Sequence, residues 1–257
     1  MRKNILSSFS LDGKKILITG GSRGIGKAIS AIYSEMGADV IICGRKQESV
    51  EETAREIKAN GGHAFPVVAN VTLPKDRVRL IDAAIQWAGR IDILVNNAGG
   101  NPQFGGLSEL SESVWDKTFE LNLKAPFVIS QMVYNAWMKE NGGVIINMAS
   151  VGGLITSSGI NAYNITKAAL IHLTKCLAQE WGPSGIRVNA IAPGLIKTEM
   201  SRALWDSPMG EKMVKSNPLK RIGEVNDVKS AALFLASDAS SFITGHTLLI
   251  DGGQLIK

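Results

Sequence analysis

Lys14–Gly26 reads KKILITGGSRGIG, and this stretch decides the predicted fold. Ile16–Ile18 form a short apolar run typical of a parallel strand buried on both faces, and a glycine turn and a helix follow at once. Gly20, Gly24 and Gly26 suit a sharp turn, close approach of the backbone to a phosphate, and tight packing of helix on strand. Free N–H groups at the start of the helix would bind a dinucleotide pyrophosphate. Alone, the Gly-x-x-x-Gly-x-Gly spacing is a weak signal, because glycine turns also join strands to helices for packing reasons.

The composition is that of an ordinary globular protein. The chain has 257 residues, 45% of them hydrophobic and 20% charged, which is enough for one α/β domain over residues 1–257. The net charge of +5 is compatible with anionic ligands, but the basic residues are dispersed, so we do not expect nucleic-acid binding. Because no membrane span or secretory signal is evident, we predict a cytoplasmic protein without membrane contact. Cys43 and Cys176 are interpreted as core residues, and no spacing of Cys and His predicts a metal site.

Strand and helix signals alternate along the rest of the chain. Apolar runs predict further strands at Asp39–Cys43, Phe65–Ala69, Ile91–Val95, Val144–Met148, Ile186–Ile191 and Thr247–Ile250, and helical periodicity predicts helices at Ile25–Met36, Gln47–Asn60 and Pro74–Ala88. This alternation predicts a doubly wound α/β fold, with a seven-stranded parallel sheet and helices on both faces. Ligands of such sheets bind beyond the carboxyl ends of the strands, so the loops that follow the strands are the candidates for chemistry.

The end of the second strand bears on the choice of cofactor. An acidic residue there would bind the adenosine ribose hydroxyls of NAD, but the chain has Gly44, Arg45 and Lys46. Arg45 and Arg23 could instead pair with a ribose 2′-phosphate, which favours NADP(H) over NAD(H). The alternative is that Arg45 is a solvated loop residue and Arg23 only begins the helix.

Two further loops have the composition of a ligand site. Asn70 follows the third strand, where it could meet an adenine edge or act only as a turn former. Asn96–Gly100 follows the fourth strand, and its small residues suggest close approach of a ligand.

Three residues in the second half of the chain could perform acid–base chemistry. Ser150 ends the strand VIINMAS, and Tyr163 and Lys167 stand four residues apart on one face of a predicted helix. The lysine ammonium would lower the pKa of the tyrosine, making it a general acid/base, and the serine could donate a hydrogen bond to a carbonyl oxygen that gains negative charge. A lone Tyr-x-x-x-Lys is more often an ordinary surface pair, so the argument depends on the combination of motifs.

That combination resembles the short-chain dehydrogenase/reductase family. The resemblance covers nearly the whole chain and lies in Thr19-Gly20-x-x-x-Gly24-x-Gly26, Asn96-Asn97-Ala98-Gly99, Ser150, Tyr163-x-x-x-Lys167 and Pro193-Gly194. It implies a single Rossmann-type domain, usually assembled as a homotetramer.

The resemblance also implies roles for individual residues. Catalysis is implied for Asn122, Ser150, Tyr163 and Lys167, with Asn122 holding a water that relays protons through Lys167. Lys167 would also bond the nicotinamide ribose, Asn97 would support the sheet and cofactor, and Ile196 and Thr198 would hold the carboxamide. Together with the residue analysis, cofactor binding is predicted for Gly20, Ser22, Arg23, Gly24, Ile25, Gly26, Arg45, Asn70, Val71, Asn97, Ala98, Gly99, Tyr163, Lys167, Pro193, Gly194, Ile196 and Thr198. Asn70 departs from the family, which commonly has Asp against the adenine amino group, but an Asn oxygen can still accept that bond.

The stretch before the last predicted helix looks like a substrate lid. Residues Met200–Pro218 read as an irregular insertion, and we expect a mobile lid over about residues 198–218. Its Met and Trp side chains could line an apolar pocket or merely pack against the body or a neighbouring subunit.

Two branches of the family are similar to this chain. Asn101-Pro102 and the run APGLIKT followed by Ser201-Arg202-x-Leu204-Trp205 look like the NADPH-dependent carbonyl reductases of the peroxisomal type. In 3-oxoacyl-acyl-carrier-protein reductases, two arginines grip the carrier where this chain has Asn141 and Ser184. We therefore predict an NADP(H)-dependent reductase of small-molecule ketones, aldehydes or dicarbonyls. The alternatives are a 3-oxoacyl thioester reductase and, less favoured, a non-catalytic dinucleotide sensor.

Overall fold

Seven parallel strands form one sheet in the order β3-β2-β1-β4-β5-β6-β7 in a computed structural model that describes residues 5–157 and 159–256. The strands are β1 Lys15–Thr19, β2 Asp39–Gly44, β3 His63–Val68, β4 Ile93–Asn96, β5 Gly143–Met148, β6 Ile186–Pro193 and β7 Thr247–Ile250. The predicted Rossmann-type sheet is therefore confirmed. Met1–Asn4, Ser158 and Lys257, which the predicted domain range includes, lie outside the described residues.

Helices connect the strands and cover the sheet. They are α1 Gly24–Glu35, α2 Gln47–Ala59, α3 Pro74–Ala88, α4 Glu112–Phe119, α5 Ala125–Val133, α6 Lys139–Asn141, α7 Asn161–Trp181, α8 Arg202–Trp205, α9 Pro208–Ser216 and α10 Val225–Ala236. Two π-helical turns occur at Glu120–Lys124 and Tyr134–Met138, and 3-10 turns at Ile5–Phe9, Leu107–Glu109, Val151–Gly153, Gly182–Ser184 and Asp238–Ser240. Within the described ranges, no helix has the length and apolar character needed to cross a membrane.

The apolar runs become strands because each of their faces is covered by helices. Ile16 and Ile18 of β1 pack in one core with α1 and α10, whereas Leu17 packs in the other core with α3, α5 and α7. All three side chains are fully buried, as a strand between two helical layers requires. Cys43 is buried as predicted, but the prediction for Cys176 is wrong, because that residue faces outward from α7 and is exposed.

The sheet reverses its strand order between β1 and β4. β2 and β3 extend to one side of β1, and β4 to β7 extend to the other, with Thr19 paired to Asn96 at the last position. Connections leave β1 and β4 in opposite directions at this point, which opens a crevice beyond their carboxyl ends. The glycine turn and the Asn96–Gly100 loop border this crevice.

The proposed lid segment is helical in part. Residues after Met200 form α8 and α9, so the expectation of an irregular insertion is wrong. The Ser207 hydroxyl accepts a hydrogen bond from the Gly210 N–H at 3.3 Å, and Pro208 occupies the first turn. An N-cap serine followed by proline is a helix start, and this local signal was available in the sequence.

Candidate active site

The glycine turn has the backbone geometry that a phosphate site needs. Gly20 and Gly24 have positive φ angles of 64° and 51°, a region that favours glycine. A Cβ on Gly26 would lie 2.1 Å from the Gly20 carbonyl oxygen, so α1 packs on β1 more closely than any side chain would allow. Arg23 is the N-cap of α1, and its side chain makes no capping bond. The first N–H groups of α1 therefore lack a side-chain acceptor, which fits a pyrophosphate at this helix end.

Asn97 ties the ends of β1 and β4 together. Its side-chain amide donates to the carbonyl oxygens of Thr19 and Gly20 at 3.1 and 3.0 Å. The Thr19 hydroxyl accepts hydrogen bonds from the N–H groups of Asn97 and Ala98 at 3.0 and 3.1 Å. These bonds hold the floor of the crevice in a single arrangement.

Asn70 is a turn former in this structure. Its side-chain oxygen accepts hydrogen bonds from the N–H and the hydroxyl of Thr72, at 3.2 and 2.9 Å. The Asn70 N–H donates to Asp76 at 2.7 Å. With both bonds to Thr72 in place, the side-chain oxygen is fully used, so an adenine amino group would have to replace one of them.

The two arginines considered for the 2′-phosphate are exposed at the rim of the crevice. Arg45 follows Gly44, the last residue of β2, and a Cβ on Gly44 would stand 2.8 Å from the Ser22 hydroxyl. Arg23 pairs with Glu199 at 3.6 Å, and both side chains are well exposed. The sequence did not reveal Glu199 as the partner of Arg23, although Glu199 directly follows the run PGLIKT.

The loop after β6 faces the glycine turn. The Thr198 methyl group lies 3.4 Å from the place of a Cβ on Gly24. The Ser201 hydroxyl donates to the Ile196 carbonyl oxygen at 2.5 Å and lies 2.9 Å from the Thr198 hydroxyl. Pro193 ends β6, and the Gly194 N–H donates to β7 at 3.0 Å. Ser201 therefore shapes the segment that carries Ile196 and Thr198, a role that spacing alone did not reveal.

Ser150, Tyr163 and Lys167 come together at the carboxyl end of β5. The Ser150 side chain lies near enough to the Tyr163 side chain to lower its pKa, and the Ser150 hydroxyl accepts a hydrogen bond from the Gly152 N–H at 3.1 Å. Lys167 is 3% exposed, its Nζ donates to the Met148 carbonyl oxygen at 2.7 Å, and it lies 5.5 Å from the centre of the Tyr163 ring. Helix α7 carries the tyrosine and the lysine one turn apart, and the 3-10 turn after Ser150 packs against the same helix.

Burial changes the acid–base properties of this pair. It lowers the pKa of Lys167 to about 8, because a buried ammonium loses its hydration. Burial also raises the pKa of Tyr163, and the hydrogen bond from Ser150 only partly opposes that rise. The expected lowering of the tyrosine pKa is therefore wrong for this structure, since desolvation outweighs the one opposing interaction, which comes from Ser150.

Asn122 is completely buried in the π-helical turn between α4 and α5. Its side-chain oxygen accepts from the Gly100 N–H at 2.9 Å, and its side-chain NH₂ donates to the Gly100 carbonyl oxygen at 2.8 Å. A Cβ on Gly99 would lie 3.0 Å from the Asn122 oxygen and 3.2 Å from the Lys167 Nζ. Asn122, Gly99 and Lys167 thus meet, although they come from three distant parts of the chain.

The π turn at Asn122 has a local cause. Pro126 stands four residues after Asn122 and has no N–H, so the regular helical partner of the Asn122 carbonyl is missing. The Ala125 N–H bonds to the Glu120 carbonyl oxygen, five residues back, as in a π helix. Such turns inside helices often occur at functional sites.

Fold and site together define a dinucleotide-dependent oxidoreductase, and comparison with known proteins agrees. A family model described as enoyl-(acyl carrier protein) reductase matches residues 20–254. Human dehydrogenase/reductase SDR family member 4 is 40% identical over 244 residues, covering 95% of this chain and 88% of the relative.

Two solved structures have the same architecture with different bound nucleotides. A Burkholderia cenocepacia gluconate 5-dehydrogenase in complex with NADP and tartrate is 36% identical, with a TM-score of 0.93 and 98% of each chain covered. A 7α-hydroxysteroid dehydrogenase complexed with NADH and 7-oxo glycochenodeoxycholic acid is 34% identical, with the same TM-score and coverage. The chain belongs to the short-chain dehydrogenase/reductase family. It is thus an oxidoreductase that acts on alcohol or carbonyl groups with a nicotinamide dinucleotide.

Proposed function

We propose that this protein is an NADP(H)-dependent reductase that converts a ketone, aldehyde or dicarbonyl to the alcohol, and that it runs in reverse as an alcohol dehydrogenase. The observation that carries the proposal is the placement of Tyr163 beside the buried Lys167, whose Nζ lies 5.5 Å from the centre of the tyrosine ring, with Ser150 close enough to affect the tyrosine pKa. When bound, the nicotinamide supplies the hydride that reduces the carbonyl carbon.

Tyr163 is the proton donor in this proposal. Its hydroxyl carries the proton at neutral pH, and because burial raises its pKa, Lys167 and Ser150 are proposed to stabilise the phenolate that forms when the proton leaves. Ser150 donates a hydrogen bond to the substrate oxygen as negative charge builds there. Lys167 uses one N–H on the Met148 carbonyl, which leaves two donors for the ribose hydroxyls and for returning a proton to Tyr163. Because Pro126 cannot donate to the Asn122 carbonyl, we assign this carbonyl as the acceptor for the relay water.

The replacement Tyr163→Phe tests this role against the alternative of a non-catalytic dinucleotide sensor. The ring stays in place while the proton donor is removed, so turnover should fall by roughly 100-fold or more. The dissociation constant for NADPH, measured by fluorescence titration, should stay nearly the same. Equal turnover in the variant would exclude Tyr163 as the proton donor.

The preference for NADP(H) is proposed from charge. Arg45 is exposed after β2, Arg23 lies on the glycine turn, and no acidic residue ends β2. Arg45→Glu should weaken NADPH binding by about tenfold or more, because a charge-assisted bond to the 2′-phosphate becomes a repulsion, while NADH binding changes little. Arg55→Glu, on the exposed side of α2, is the matched control. Equal losses for both cofactors would contradict the phosphate role.

The substrate class is tested by initial rates with NADPH and NADH against aromatic ketones, α-dicarbonyls and an acetoacetyl thioester. Faster turnover of diketones or ketones with NADPH is the expected result. Preference for NADH would refute the cofactor assignment, and preference for the thioester would favour the second candidate.

That second candidate is a 3-oxoacyl thioester reductase. The description of the matching family model shares with it only the acyl-carrier-protein substrate, since an enoyl reductase reduces a C=C bond and not a ketone. The substitutions Asn141 and Ser184 argue less strongly against it than the sequence suggested. Asn141 stands two residues before β5 and Ser184 two residues before β6, so both lie at the amino ends of the strands, opposite the site of the same chain. They therefore do not border the Tyr163 site of their own chain.

Three further proposals can be tested: the homotetramer and the lid come from the family resemblance, and the location comes from the sequence, in which no membrane span or secretory signal is evident. The chain is expected to form a homotetramer, which sedimentation velocity would measure, and to reside in the cytoplasm, which fluorescence microscopy of a tagged chain would test. The segment at about residues 198–218, which includes α8 and α9, is proposed to close over the substrate. Slower amide exchange in this segment when NADPH and a turned-over alcohol product are bound would support that closure.

A further inference from the structure

Arg77 of α3 is a buried arginine that sequence reasoning did not single out. It is 4% exposed, and one of its terminal nitrogens donates to the Glu120 carboxylate at 2.7 Å and to the Val71 carbonyl oxygen at 3.0 Å. Lys124 holds the second Glu120 oxygen at 2.9 Å. Burial by itself would raise the pKa of Glu120, but the bonds from Arg77 and Lys124 outweigh it and hold the pKa below its ordinary value. Glu120 is therefore ionised, and the pair is a true ion pair.

The two residues that accept hydrogen bonds from Arg77, Val71 and Glu120, lie in different parts of the proposed site. Val71 belongs to the loop after β3 that is assigned to the adenine, and that loop is further held by the bond from the Asn70 N–H to Asp76. Glu120 is the first residue of the π turn, whose third residue is Asn122. Arg77 thus connects the adenine side of the crevice to the turn that presents Asn122.

The net stability of the ion pair does not explain its position. Removing a guanidinium and a carboxylate from water can cost as much as their attraction returns, so a buried pair is weak evidence for stability, and in some proteins such a pair instead fixes a defined arrangement. A π turn is a rare, irregular element of a helix. Glu120, which begins this one, is fixed by Arg77 on one carboxylate oxygen and by Lys124 on the other. Rigid placement of Asn122 against Gly100 is what this arrangement provides.

We propose that Arg77 and Glu120 are positioning residues that couple the adenine-side loop to the catalytic Asn122 turn. The proposal rests on the proposed function, since it takes Val71 as part of the cofactor site and Asn122 as part of the proton relay. Cofactor binding at the loop then restrains the π turn through Arg77, and displacement of the turn weakens the hold on the cofactor.

The test compares Glu120→Gln and Arg77→Met with the unmodified protein. Glu120→Gln breaks the ion pair but leaves the Arg77 bond to Val71, so kcat should fall by roughly tenfold while the NADPH dissociation constant stays within about twofold. Arg77→Met removes both bonds, so kcat should fall and the NADPH dissociation constant should rise by about three- to tenfold. Glu120→Asp keeps the negative charge, so its kcat should lie between that of Glu120→Gln and that of the unmodified protein. If Glu120→Gln folds poorly, the kcat of Glu120→Asp still tests the positioning role.

A control variant separates positioning from general loss of stability. Asp39→Asn breaks the pair between Lys15 and Asp39 at the amino ends of β1 and β2, on the opposite edge of the sheet. It should lower Tm and leave kcat and the NADPH dissociation constant unchanged. If Glu120→Gln and Arg77→Met behave like this control, with lower Tm alone, the positioning role is wrong.

Amide exchange gives a result that does not depend on turnover. The Gly100 N–H donates to the Asn122 side chain, so exchange in the peptide spanning residues 97–100 reports the placement of Asn122. NADPH should slow this exchange in the unmodified protein, and the slowing should be lost in Arg77→Met. If the unmodified protein turns over no carbonyl but keeps this pattern, the proposed function fails and the coupling stands. Equal slowing in both proteins would refute the coupling.

Discussion

Lys167 is a charge that the folded, ligand-free protein holds at a cost. Burial lowers its pKa from 10.5 to about 8, so the unfolded chain binds this proton more tightly than the folded protein does. Below the pKa of about 8 of the folded protein, the unfavourable free energy of the buried Lys167 ammonium is present in full. Between that value and the unfolded pKa of 10.5 this free energy falls, because the folded protein loses the proton first. Wild-type stability should therefore rise with pH in this window, relative to a variant without the lysine.

The size of the rise follows from the shift. Each pKa unit corresponds to about 1.4 kcal/mol, so between about pH 7.5 and 9.5 the contribution of Lys167 becomes more favourable by about 2 kcal/mol. Lys167→Met lacks this contribution. Cys43, whose pKa burial raises to about 12, acts in the opposite direction above its unfolded pKa, but it is present in both proteins and cancels in the difference.

Urea unfolding of both proteins without cofactor, followed by circular dichroism at equal concentration across this pH range, measures the effect. The free energy of unfolding of the wild type minus that of Lys167→Met should rise by about 2 kcal/mol from the lowest to the highest pH. Lys175→Met, an exposed lysine on the same helix, is the control and should give a flat difference. A flat or falling difference for Lys167→Met would refute the view that this ammonium is desolvated.

Three substitutions test the packing around the site. Gly26→Ala places a Cβ 2.1 Å from the Gly20 carbonyl oxygen, so we expect about 2 kcal/mol of destabilisation and weaker NADPH binding, measured by urea unfolding and fluorescence titration; unchanged affinity would contradict the close-packing argument. Gly99→Ala would place a methyl group 3.2 Å from the Lys167 Nζ, so kcat should fall while circular dichroism stays the same, and full activity would show that the site relaxes easily. Away from the site, in the core between α1 and α10, Tyr33→Phe removes the 2.9 Å hydrogen bond from the tyrosine hydroxyl to a carbonyl oxygen of α10, which should cost about 0.5–1.5 kcal/mol of unfolding free energy with no change in kcat per folded molecule.

Local patterns in the sequence were sufficient for the fold and for much of the candidate site. Apolar runs marked all seven strands within a few residues, with β4 beginning at Ile93 instead of Ile91. The four-residue spacing of Tyr163 and Lys167 sets their helical face, and Gly20 and Gly26 mark the turn, because each feature depends on neighbours in the chain.

Features that depend on distant contacts and burial were decided only by the tertiary structure. The direction of the Tyr163 pKa shift required knowing that desolvation by burial exceeds the opposing effect of Ser150. The bonds of Asn122 to Gly100 and of Arg77 to Glu120 join residues 22 and 43 positions apart, and no local spacing encodes such pairs. Periodicity reports which face of an element is apolar, whereas the partner of a buried polar group depends on how the elements pack together.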